Sequence, residues 1–98
     1  MPVKVYLSGP VTGRDRHTTE HLFGIAEKAV RNMGLEPVNP IKLCAENMPW
    51  NEAMKVCVGA LLDCQLIVLL PGWEESDGAQ LELTIAKSLQ INQLKIQL

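Results

Sequence analysis

The residues able to do chemistry gather in two short segments. The later one, LLPGWEESDGAQLE from Leu69 to Glu82, breaks an apolar run at Pro71-Gly72 and then collects four acids, Glu74, Glu75, Asp77 and Glu82. Ser76 or Asp77 can cap a helix there, which leaves backbone N–H groups free to meet an anion. Gly78 removes a side chain where a ligand could lie against the backbone. Glu82 falls about one turn into that helix, on the same side as Gly78. It is then either a carboxylate aimed into a cleft or a surface charge; Glu74 and Glu75 read as solvated loop charges. The earlier segment, SGPVTGRDR from Ser8 to Arg16, combines flexible backbone at Gly9 and Gly13, hydroxyls at Ser8 and Thr12, and charge at Arg14 and Arg16. A phosphate or ribose-phosphate fits such a loop, as does a plain Gly/Pro turn with solvated arginines. Its spacing is neither a Walker loop nor G-x-G-x-x-G. Trp73, beside Gly72, is better placed than Trp50 to stack on a base; the alternative for both is a lid or subunit contact. Asn39 either reaches the same cleft or forms a turn with Pro40.

The elements that must position these residues follow from the hydrophobic pattern. Val3 to Leu7 reads as a strand and Glu20 to Met33 as a helix, capped by Thr18 or Thr19 and ended by Gly34. The apolar face of that helix is Leu22, Phe23, Ile25, Ala26, Ala29, Val30 and Met33. Leu35 to Val38 is a second strand. A second helix runs from Trp50 to Cys64, with Met54, Val58, Leu61 and Leu62 inward; Gly59, inside it, implies a close packing contact. Leu66 to Leu70 is apolar at every position, as in a strand covered on both faces. A third helix reaches about Leu89, and Leu94, Ile96 and Leu98 alternate with polar residues in a wetter edge strand. Strand–helix alternation of this kind predicts one α/β domain over residues 1–98, a doubly wound four-stranded parallel sheet in the order 2-1-3-4. Ligands then bind beyond the carboxyl ends of strands one and three, where the two chemical segments lie.

Composition narrows the partners. The chain has 98 residues and a formal net charge of −2, which gives no electrostatic reason for nucleic-acid or membrane binding. The odd number of cysteines, Cys44, Cys57 and Cys64, and the lack of a C-x-x-C pair point to free thiols in a reducing cytoplasm, and no metal-ligand spacing stands out. No apolar run approaches the ~20 residues needed to span a bilayer, and no signal peptide precedes the first strand.

Three blocks carry a resemblance: VYLSGPVTG, GLEPVNP, and LDCxxIVLLPGWExSxGAxLE. Together they resemble the nucleoside 2-deoxyribosyltransferase-like superfamily, and within it the small, mostly uncharacterised bacterial and phage branch. The resemblance implies a flavodoxin-like or Rossmann-like fold, a homodimer or higher homo-oligomer, a small nucleoside or nucleotide substrate and no cofactor. It also implies N-glycosidic bond cleavage with Glu82 as nucleophile on the anomeric carbon and Tyr6 orienting it. Ser76 matches a serine that meets phosphate in the monophosphate hydrolases. Two acids common in the superfamily are replaced here, by Cys57 on the second helix and Gln65 at the third strand. Two further readings therefore stay open: a nucleotide- or ribose-phosphate-binding domain without turnover, and an interaction module with a vestigial cleft.

Overall fold

The computed structural model describes residues 2–98. Lys4–Ser8 forms β1, and its period-2 alternation divides the molecule. Val5 and Leu7 point to one face of the sheet, where they pack with Phe23, Ala26 and Val30 of α1 (Arg16–Asn32). Tyr6 points to the other face and packs with Cys57 and Leu61 of α2 (Trp50–Leu62) and Ala86 of α3 (Asp77–Ser88). Glu36–Val38 (β2), Leu66–Leu69 (β3) and Asn92–Gln93 (β4) complete the sheet. All neighbours are parallel and the order is β2-β1-β3-β4, as the alternation of elements predicts. Ile67 and Val68 of β3 are buried on opposite faces, which is why that strand carries no polar residue. No helix among the described residues is long and apolar enough to cross a membrane.

Several boundaries differ from the sequence expectation, each for a local reason. The first helix begins at Arg16, because Asp15 rather than Thr18 or Thr19 caps it. The Asp15 carboxylate accepts from the Thr18 backbone N–H and hydroxyl, both at 2.9 Å. Arg16 and His17 thus belong to the helix, and the first loop is shorter than nine residues of SGPVTGRDR implies. Ile25 on α1, Met33 just past its end and Leu62 at the end of α2 are exposed, not inward. A Cβ at Gly59 would meet nothing within 4 Å, so no close contact explains that glycine. The last strand pairs only through Asn92 and Gln93. Beyond it the Leu94 N–H still donates to the Ile67 carbonyl at 2.8 Å, and Leu94 and Ile96 pack on the core. The edge position holds, but the alternating Leu94–Leu98 segment is not itself a strand.

The turn after β2 is pinned from α1. Asn39 is buried, caps the 3-10 turn Pro40–Lys42 through the Ile41 N–H, and donates to Glu27 at 3.3 Å. Lys42 reaches the same Glu27 carboxylate at 2.8 Å. Asn39 is therefore the turn former of its two alternatives, with its side chain committed away from the cleft.

Candidate functional site

The carboxyl ends of β1 and β3 open onto a cleft of about 790 Å³, a size suited to a small-molecule ligand. Its floor is set by strand parity. Tyr6 and Ser8 are two apart on β1, so both side chains leave the sheet on the face that α3 covers. Glu82, on the second turn of α3, meets both. The Tyr6 hydroxyl donates to Oε2 at 2.6 Å and the Ser8 hydroxyl to Oε1 at 2.7 Å. All three residues are buried, with Glu82 5 % exposed and the other two fully enclosed. Each carboxylate oxygen accepts one hydroxyl and keeps a second acceptor site. Tyr6 and Glu82 also line the cleft.

Spacing alone assigns Ser8 to the anion loop. It is instead the last residue of β1, and its inward parity turns the hydroxyl onto Glu82. The sequence signal for this pairing is the i, i+2 relation of Ser8 to Tyr6. The rest of the first loop does reach the cleft: Gly9, Gly13 and Arg14 line it. Gly13 has a positive φ of 76°, and a Cβ at Gly9 would sit 2.8 Å from the Leu70 Cβ. Gly9 is therefore required where the ends of β1 and β3 approach. Arg14 meets Glu75 at 3.5 Å in an exposed pair, and Glu75 remains the solvated loop charge that the sequence suggests. Arg16 turns away to Glu20 and the Ile41 carbonyl, each at 3.2 Å, while still bordering the cleft.

Ser76 and Gly78 also line the cleft. Ser76, not Asp77, caps α3, accepting from the Ala79 N–H at 3.2 Å. That leaves the Ser76 hydroxyl proton free to donate. A Cβ at Gly78 would lie 3.1 Å from the Met54 sulfur, so this glycine lets the start of α3 approach α2. Trp73 stands outside the cleft. The 3-10 turn Trp73–Glu75 directs it to a separate depression shared with Leu70, Ile96 and Leu98. Trp50, at the first turn of α2 and half exposed, is the tryptophan on the cleft.

On the α2 side, sulfur and apolar groups line the cleft: Cys44 and Met48 before α2, then Ala53, Met54 and Cys57 on it. The thiols of Cys44 and Cys57 are 3.7 Å apart, a contact that their spacing in sequence does not reveal. Gln65 is at the other end of the sheet, where its side chain accepts from the Lys4 N–H at 2.8 Å. Of the two replaced acid positions, only Cys57 bears on the cleft.

Burial governs the protonation of the floor. It pushes the Glu82 carboxyl above the usual carboxylate range, against the opposing hydrogen bonds from Tyr6 and Ser8. The Tyr6 hydroxyl is raised far above its ordinary value, first by burial and then by the Glu82 charge, and stays a donor at every physiological pH. The Cys57 thiol is pushed up to about 12, chiefly by burial, with Tyr6 opposing the shift. The floor thus offers one ionisable carboxyl held by two neutral donors, and the α2 wall offers the neutral Cys57 thiol.

No curated protein matches the chain. Residues 3–95 match the family described as Domain of unknown function (DUF4406), nearly the whole length, and the chain belongs to that family.

Proposed function

We propose that the protein cleaves the N-glycosidic bond of a small nucleoside or nucleoside 5'-monophosphate, as a hydrolase or deoxyribosyltransferase, with Glu82 as nucleophile. One observation carries this reading: a buried carboxylate on the floor of an open cleft, with a hydroxyl donor fixed on each oxygen at 2.6 and 2.7 Å. A solvated surface charge needs neither burial nor two donors. Tyr6 and Ser8 act as positioning residues, each leaving an acceptor site on its oxygen for the anomeric carbon. As the bond to the base breaks, the sugar becomes oxocarbenium-like and the carboxylate stabilises it or bonds to it. Water or a second base then takes the sugar. Arg14, the Ser76 hydroxyl and the start of α3 border the same cleft and are available to a phosphate.

The test is incubation with a panel of 2'-deoxynucleosides, ribonucleosides and their 5'-monophosphates, following release of free base. Release by the wild type and its loss in Glu82→Gln support the reading. No release from any of them, N-ribosylnicotinamide 5'-monophosphate included, ends it. The thiol of Cys57 on the wall favours a second reading, a nucleotide- or ribose-phosphate-binding domain without turnover. That reading requires a ligand-induced rise in melting temperature with no base release.

A further inference from the structure

We infer that the cleft is suited to N-ribosides of cationic, pyridinium-type bases, whose leaving group departs as a neutral molecule. This rests on the reading of Glu82 as nucleophile and adds the class of leaving group. A neutral purine or pyrimidine takes the bonding pair as an anion unless an acid supplies a proton. Among the described residues, the α2 wall of the cleft carries no carboxyl to supply one. Ala53, Met54 and Cys57 stand on α2, with Cys44 and Met48 beside them. The Cys57 thiol, pushed up to about 12, is a weak acid enclosed against Tyr6 and Cys44. Among the described residues, the other acids lining the cleft are Glu46, Glu75 and Asp77, all on the exposed rim. One of them, Glu75, is paired at 3.5 Å with Arg14 on the solvent side.

A pyridinium needs no such acid. The C1'–N bond breaks and its electron pair returns to the ring nitrogen, cancelling the positive charge. A Glu82 oxygen bonds to C1', or shields it as a cation. Water then adds at C1' and one proton passes to solvent, leaving the sugar, the neutral base and the carboxylate as it began. The surroundings also favour the cation before the bond breaks. Trp50 lines the exposed edge of the cleft, the thiols and thioethers are polarisable, and Glu46 and Asp77 add negative potential at the mouth.

The experiment compares N-ribosylnicotinamide 5'-monophosphate with AMP and UMP, which share its sugar and phosphate. General acid catalysis contributes about 10²–10⁴-fold, so nicotinamide release is expected to exceed adenine or uracil release by about 100-fold in kcat/KM. It is also expected to vanish in Glu82→Gln. A ratio above about ten, lost with Glu82, supports the inference. A ratio at or below that, or nicotinamide release that survives Glu82→Gln, overturns it. Release from neutral nucleosides alone overturns the inference while the nucleophile reading stands. No release from either class removes both.

Discussion

The Tyr6 hydroxyl, midway along the first strand, donates to Glu82 Oε2 across 2.6 Å, joining residues 76 apart in the chain. The pair is buried, so water replaces the lost bond poorly. Tyr6→Phe is expected to lower stability at neutral pH by about 1.5–3 kcal/mol, the range for a hydrogen bond to a charged group. Ser8→Ala, which frees the other oxygen, is expected to cost a similar amount. The double variant should cost more than the sum, because the first donor lost leaves the second as the only support. Urea denaturation of the four proteins at one pH measures all three terms. Additivity within about 0.3 kcal/mol would show that the two donors act independently.

The sheet order and the Glu82–Tyr6 pair are legible in the sequence, for different reasons. The order follows from strand–helix alternation and from the uniformly apolar LIVLL run, which only a doubly covered strand explains. The pair follows from the resemblance together with the G-x-x-x-E spacing on α3. What spacing does not convey is direction. Ser8 looks like a loop hydroxyl until the strand is extended by one residue and its parity turns it onto Glu82. Trp73 looks like a stacking residue until the left-handed Gly72 redirects the chain and carries the ring to the far depression. The contact between Cys44 and Cys57 joins a coil to a helix, and no periodicity encodes such a pairing.

Glu82 sets a pH dependence with an unusual sign for a carboxylate. Its folded-state value is raised by burial above the unfolded value of about 4.3, so the folded state holds the proton more tightly. The resulting stability is fully present below the unfolded value and is lost as pH rises through the folded one. Glu82→Gln keeps the shape and removes the charge, and the Tyr6 and Ser8 hydroxyls can rotate to suit an amide. The variant is expected to melt higher than the wild type near pH 8, with the gap closing as pH falls to about 4. Differential scanning calorimetry across that range decides it. A gap constant with pH would mean that Glu82 has the same proton affinity folded and unfolded. If base release is found, its rate should rise with pH through the same raised value, since the attacking form is the carboxylate.

Two glycines should respond to alanine in opposite directions. At Gly9 the added Cβ would lie 2.8 Å from the Leu70 Cβ, where β1 and β3 leave the sheet together. Neither backbone can yield without disturbing the cleft floor, so Gly9→Ala is expected to destabilise by about 1–3 kcal/mol. Gly59 sits inside α2 with no heavy atom within 4 Å of the Cβ position. Gly59→Ala is expected to stabilise by about 0.5–1 kcal/mol, through helix propensity and a less flexible unfolded chain. Midpoints of urea unfolding give both. A loss at position 59 would reveal a partner surface against that face of α2.

The Cys44 and Cys57 sulfurs, 3.7 Å apart, are close enough to join without rearranging the sheet. A disulfide needs a separation of about 2.05 Å, and Cys44 lies in the coil before α2, which can yield more easily than the helix. Diamide takes up the two thiol hydrogens and is reduced to the hydrazine as the S–S bond forms. Treatment is expected to remove two of the three thiols titrated in denaturant, with Cys64 remaining because its buried thiol is bonded to the Ala60 carbonyl at 3.3 Å. Peptide mapping without reductant should recover a 44–57 cross-link, and Cys44→Ser should abolish it. The bond would draw the coil toward α2 and narrow the cleft on that side. Any base release should therefore fall on oxidation and return with dithiothreitol. Retention of all three thiols after diamide would show that the coil holds Cys44 too rigidly to close the gap.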